Sequence, residues 1–496
     1  MAGGLTGIGA RTTSVPRWMQ ILLRFATTTA IEQGKYATMD QVVARSGNAT
    51  QPANPLLSAP ILPTLLRLTA PNLAAMLVTT LVAIFETVYV GILGTTQLAA
   101  IALVFPLIML MQMLSAGAMG GGVSSAISRA LGAGDSERAA ALAVHALAIG
   151  TLAGLGFSLL FFMFGRSILS ALGGSGPVLD QAVLYASVGL TGAIVIWLLN
   201  TLASIVRGTG NMRVPSLTLL AASAVQIVLG GTLGLGLGPF PRFGLVGVAS
   251  GYVVGFTLGA AFLLWFLRSG RARITLTFGA RLNRAMFFDI LKVGAVAAFS
   301  PLQSVLTVLI LTKLVASFGT EALAGYGIGV RLEFLLVPIV FAVGVASVPM
   351  VGMAVGAGNV ARARKVAWTA GGVATIAVGL VGLAVAAMPD LWSQLFTSDP
   401  AVLASANLYL RWVGPVFGIF GLGLALYFAS QGSGKILGPV LAASVRLAVI
   451  ALGGWWLASI NAPPWAIFAL VSVSMVAYGA ATAAAVYLTP WGPRPQ

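Results

Sequence analysis

Between Ile61 and Thr489 the chain is a near-continuous series of long apolar segments, broken by short turns rich in Gly, Pro and charged residues. A helix takes roughly 20 apolar residues to cross a bilayer, and these segments meet or exceed that length. Barrel strands are about half as long and alternate polar with apolar residues, a pattern absent here. The sequence therefore predicts an all-α polytopic membrane protein of about twelve spans: 61–93, 97–131, 139–165, 178–206, 213–237, 243–268, 286–317, 321–355, 362–388, 400–430, 436–460 and 464–489. Composition agrees, because 58% of the residues are hydrophobic and 8% charged, where a soluble chain carries about 25% charge.

The formal charge of +16 would suit nucleic acid if it were clustered on a soluble face, but it is distributed by membrane side. Arg129, Arg138, Arg207, Arg213, Arg268, Arg271, Arg273, Arg281, Arg284, Lys292, Arg362, Arg364, Lys365 and Lys435 fall on one side, and Arg166 and Arg242 on the other. The positive-inside rule makes the first side cytoplasmic, and an even number of spans puts both termini there. The expectation is a multi-pass protein of the inner (plasma) membrane, in contact with lipid, with no nucleic-acid partner. Residues 1–59 carry Arg11, Arg17, Arg24, Lys35 and Arg45 among polar residues, and read as an uncleaved basic cytoplasmic tail with a short surface helix at 18–26.

With no Cys and one His, disulfides, thiolate metal sites and Cys nucleophiles are excluded, and zinc or His-based acid/base chemistry is disfavoured. The eleven acids are scattered, so no enzyme, cofactor or metal is expected. His145, early in the third span with no acid a turn away, reads as structural.

An internal repeat runs through the chain. GAGD at 132–135 recurs as GAGN at 356–359, and RGTGN before Pro215 recurs as QGSGK before Pro439, both 224 residues on. GTTQLAA from Gly94 recurs as GTEALAG from Gly319, displaced by 225. Six spans per half is an even number, so the halves enter the membrane in the same direction as parallel repeats. The predicted organisation is an N-lobe at 60–268, a linker at 269–285, a C-lobe at 286–490 and a short tail at 491–496. Two lobes around a central site suit alternating-access transport.

Intramembrane charges need a partner, a cavity or a function. Glu86, in FETVYVGILG, has no basic residue within a turn, which makes it a candidate proton carrier; the alternative is an ion pair with Lys313. Arg331 and Glu333 are two residues apart and point to opposite faces of their helix. With Arg411 and Arg446 they would set three positive charges against one negative if all faced inward; a structural network is slightly favoured over a binding role. Pro71, Pro106, Pro301, Pro338, Pro349 and Pro415 lie within spans and permit bends. GAMGGG at 117–122 lacks the Lys-Ser or Lys-Thr of a phosphate cradle and reads as close helix packing. Met109, Met111, Met113 and Met119, with Phe105 and Tyr89, would line an adaptable cavity or fill the core. Gln112, Asn200, Gln226 and Gln303 either stitch helices together or contact a substrate.

Pro71 followed by Glu86 and VGILG, then GAGD, RGTGN, AGYGIGVRLE and GAGN in that order, resembles the multidrug and toxic compound extrusion (MATE) transporters across about residues 60–490. The resemblance implies a two-lobe, V-shaped bundle of twelve helices exporting small organic compounds against inward proton or sodium flow. Glu86 matches the family's first-helix acid, usually Asp, and Pro71 the Pro whose bend accompanies protonation in some members. Gln226 and Gly230 stand where the DinF-like branch often has Asn and Asp, while Ser304 and Gly421 replace acids usual in the NorM-like branch. RLE at 331–333 is closer to the DinF-like branch. The resemblance thus implies a monomeric secondary antiporter exchanging cationic or amphipathic compounds for protons through Glu86, helped by Pro71. The substrate cavity would be drawn from Tyr89, Met109, Gln112, Asn200, Gln226, Gln303, Arg331 and Glu333. Sodium coupling, or a flippase for an anionic or lipid-linked substrate, is the alternative.

Overall fold

The computed structural model describes residues 55–190, 192–277, 279 and 281–492. Most of the expected basic tail, with its surface helix at 18–26, lies outside the described residues, as do residues 493–496. Eleven helices of membrane-spanning length, or twelve spans with one bent pair, make up the described chain, and no strand occurs among the described residues. In order they are α1 (Ile61–Leu93), α2 (Thr95–Gly132), α3 (Ser136–Ala171), the bent pair α4 (Gly176–Gly189 and Ala193–Gly208), α5 (Arg213–Leu235) and α6 (Leu245–Arg268). The second half holds α7 (Arg284–Ala316), α8 (Thr320–Gly356), α9 (Val360–Ala387), α10 (Pro400–Ser433), α11 (Leu437–Ser459) and α12 (Pro464–Leu488).

Each end lies within six residues of the bound read from the sequence. The largest excess is at the end of α3, which continues past Arg166 to Ala171. Arg166 is exposed there and pairs with Asp180 at 2.9 Å, so its charge does not end the helix.

The repeated motifs are turn chemistry. In GAGD and GAGN, Gly134 and Gly358 take φ of 80° and 75°, a left-handed conformation that Gly adopts without a Cβ clash. Asp135 and Asn359 then cap the next helix, accepting from the amides of Arg138 at 2.8 Å and Arg362 at 2.9 Å. Helix pairing repeats as well. In the first half α1 lies against α5, α4 against α2 and α3, and α5 against α6; in the second α7 lies against α11, α10 against α8 and α9, and α11 against α12.

The halves are joined by contacts near the end of the bundle where α1 begins and α2 ends. The latter part of α2 packs on α7, α8 and α10. Ser125 donates to the carbonyls of Gln431 and, at 3.2 Å, Gly432; Gln431 Nε2 donates to the Gly117 carbonyl at 3.4 Å, and Asn72 to that of Ala342 at 3.5 Å. GAMGGG is indeed a packing element, because a Cβ on Gly122 would lie 2.8 Å from the Gly294 backbone nitrogen on α7. Overlapping its first three residues, Met113–Met119 forms a π-helical turn within α2.

At this same end Asp289 of α7 pairs with Arg129 of α2 at 3.0 Å, Arg138 of α3 at 3.1 Å and its own neighbour Lys292 at 2.5 Å. His145 is fully buried. Its Nε2 accepts the amide of Asn283 at 2.8 Å, and its ring packs edge-on against Phe287 at 4.8 Å. It therefore fixes the start of α7 to α3.

Candidate functional site

Glu86 lies on α1 between α4 and α5. Tyr185 of α4 donates its hydroxyl to one carboxyl oxygen at 2.7 Å, and Gln226 of α5 donates its amide to the other at 3.3 Å. Among the described residues Glu86 forms no ion pair, and Lys313 is exposed on α7. Both donors to the acid are neutral. One turn along α1, Tyr89 is buried with its hydroxyl unpartnered. A Cβ on Gly230 would lie 3.2 Å from that hydroxyl, so Tyr89 fills the side of α5 where the resemblance leads one to look for a second acid.

A second polar group adjoins this one in the same half. Gln112 Nε2 donates to the Tyr252 hydroxyl at 3.0 Å, and Asn200 Nδ2 donates to Gln112 Oε1 at 2.9 Å and Ser115 Oγ at 2.8 Å. Tyr252 is close enough to Glu86 to interact with it electrostatically. Glu86 and Gln226 thus belong to one network and Gln112 and Asn200 to an adjoining one in the same half, with Tyr89 beside the first but bonded to neither. The methionines divide: Met109 and Met113 are exposed, Met111 is core, and Met119 packs where α2 meets Gly294. Pro71 lies within α1, which runs unbroken past it.

The remaining candidates lie in the other half. Glu333 of α8 accepts from the Tyr409 hydroxyl of α10 and lines a small cavity with Leu336, Val340 and Phe420. Arg446 lies over the Phe420 ring at 4.9 Å and interacts electrostatically with Glu333. Arg331 and Arg411 are exposed, and Arg331 sits over Phe396 at 5.2 Å. Three positive charges therefore do not converge on Glu333. Gln303 donates to Ser444 at 2.6 Å, joining α7 to α11. Among the described residues no three His, Asp or Glu side chains gather as a metal site requires.

Sequence reasoning found Tyr89 but missed two other tyrosines. Tyr185 and Tyr409 are 224 residues apart, so they are equivalent positions of the repeat, and each donates to an intramembrane glutamate in its own half. A Tyr inside an apolar span buries a hydroxyl that needs a partner, and that was the available signal.

The MatE family model matches residues 71–232 and again 297–456, one stretch in each half. The chain belongs to the MATE family. Its members are transporters, not enzymes, and this chain is a multi-pass membrane protein with the family's two-lobe helical architecture. It is 27% identical over 377 residues to a protein named FAD transporter from Shewanella oneidensis, covering 76% of this chain and 82% of that one. It is 24% identical to the probable multidrug resistance protein YoeA of Bacillus subtilis, covering 70% and 76%. Among solved structures it resembles a MOP superfamily transporter from Pyrococcus furiosus, with a TM-score of 0.79 and 24% identity over 87% of this chain and 96% of that one. The Vibrio cholerae MATE transporter VcmN in its bent form gives a TM-score of 0.79 at 23% identity, over 88% and 98%.

Proposed function

We propose that this MATE protein is a secondary active antiporter that exports organic compounds, cationic or amphipathic, in exchange for protons. The observation that carries the reading is Glu86, an acid within α1 whose two oxygens meet a phenol and an amide. As placed, both neighbours donate, which fits an ionised carboxylate. Protonation removes the charge that strengthens both bonds and adds a donor to one oxygen, so the hold of Tyr185 and Gln226 on Glu86 weakens. That change loosens α1 from α4 or α5, and Pro71 is where the helix bends. Proton and substrate are then linked through the same helix.

By the positive-inside argument, the end at which the halves meet is cytoplasmic, as are both termini. Contacts at that end support a state closed to the cytoplasm and open to the outside, where Glu86 takes up its proton. The protein works as a monomer in the inner membrane. The similarity to a protein named FAD transporter and to ones named for multidrug resistance supports export of organic molecules with apolar parts.

The test is export of a compound panel from proteoliposomes, with proton and sodium gradients collapsed separately. Export should follow the proton gradient and fall to background in Glu86→Gln, with insertion and melting unchanged. Export that survives in this variant, or that follows sodium alone, refutes the reading.

A further inference from the structure

A second polar place lies away from Glu86, where the two halves join. One cavity there is lined by Ser124 and Val348, by Ser204 and Phe428, and by Arg207 and Gln431. Each of these is a pair 224 residues apart. Repeat-equivalent residues face one another across a single cavity when it sits on the axis relating the halves. The on-axis cavity is therefore shared by both lobes, yet its walls differ. The first half supplies two hydroxyls and a guanidinium; the second supplies Val, Phe and a neutral amide.

Arg207 is 6% exposed, and its Nε has no hydrogen-bond partner. Ser124 Oγ, also buried, has none either. Among the described residues the four ion pairs all lie elsewhere; Gln431, the repeat mate of Arg207, donates its amide to the Gly117 carbonyl, and its Oε1, a neutral acceptor, has no partner. A guanidinium buried without a counter-charge is strongly disfavoured, and unused donors converging on a cavity are what an anion requires.

We propose that Arg207 and Ser124 form an anion-binding site on the axis of the molecule, holding a small anionic group: a free halide, or the carboxylate or phosphate of a transported molecule. Arg207 and Ser124 are buried while the halves are joined at this end, so the anion gains full access as they part there. Val348 and Phe428 offer an apolar wall to the body of an organic anion. The site is independent of proton exchange at Glu86, and none of the variants below alters that residue.

Thermal unfolding of the purified full chain tests this, with ionic strength held constant by the bulky sulfonate buffer HEPES. Chloride, inorganic phosphate and benzoate are titrated in turn. A ligand that binds the folded state raises the melting temperature with the logarithm of its concentration. The wild type should show such a rise, Arg207→Gln should lose it, and Arg207→Lys should keep part of it. A response to chloride identifies a free ion as the occupant; a response to benzoate or phosphate without one to chloride identifies the group of a transported molecule. If Arg207→Gln does not fold, Ser124→Ala decides, with a several-fold weaker apparent affinity expected. A wild type that responds to none of the three, or Arg207→Gln responding like the wild type, or Ser124→Ala with unchanged affinity, overturns the site.

Discussion

An acid held by a phenol on α4 and an amide on α5 can report its protonation to two helices at once. Losing a hydrogen bond to a charged group costs about 1.5–3 kcal/mol, so Tyr185→Phe should slow proton-driven export on the order of 10- to 100-fold. Its melting temperature should change little, because the phenyl ring still fills the core. Transport rates in vesicles under a fixed pH gradient check this, and a wild-type rate would show that the hydroxyl has no part in coupling. Glu86 was legible in the sequence because a lone acid stands out in FETVYVGILG. Tyr185 was not, since a Tyr fits an apolar core without comment and its partner lies 99 residues away. The four amides looked alike as well. Tertiary contact alone separates Gln226, which meets the acid, from Gln303, which ties α7 to α11 through Ser444.

Helix spans follow from the length of apolar runs, and that is why their ends were readable to within a turn or two. The repeat was readable for a similar reason, since the GAGD and GAGN turns need a left-handed Gly and a capping side chain at fixed places. The π-helical turn at Met113–Met119 was not readable, because no residue type demands it. Nor did the sequence reveal what GAMGGG packs against, which depends on how the lobes meet. A Cβ at position 122 would lie 2.8 to 2.9 Å from backbone atoms of Gly294 and Ile290, and a backbone cannot swing aside as a side chain does. Gly122→Leu should therefore hold α2 and α7 apart, at a cost of about 1–3 kcal/mol or more in the closed arrangement. Spin labels at Glu137 and Lys365, both exposed, should report a longer mean distance in the variant; an unchanged distance would mean that this approach does not hold the halves together.

Across the whole molecule, Asp289 is the charged link between halves, one carboxylate facing two arginines of the first lobe. Asp289→Asn leaves those cations facing one another with no acid between them. Charge-assisted bonds of this kind are worth on the order of 1–3 kcal/mol, so the closed population at this end should fall about 5- to 150-fold relative to the open one. The same pair of spin labels measures it, and rising salt should mimic it in part in the wild type by screening the exposed Arg138. A distance distribution insensitive to both would remove Asp289 from the closure. The sequence had placed these basic residues at one end for reasons of topology; that two of them also bind the lobes together emerged from the fold.

Coupling requires that Glu86 exchange its proton for substrate. The direct measurement is proton release from the purified protein in weakly buffered solution, followed with a pH indicator as a compound found by the export panel is added. Wild-type protein should release about one proton per molecule as the compound binds, and Glu86→Gln should bind it and release none. Equal proton release from both proteins would contradict the account.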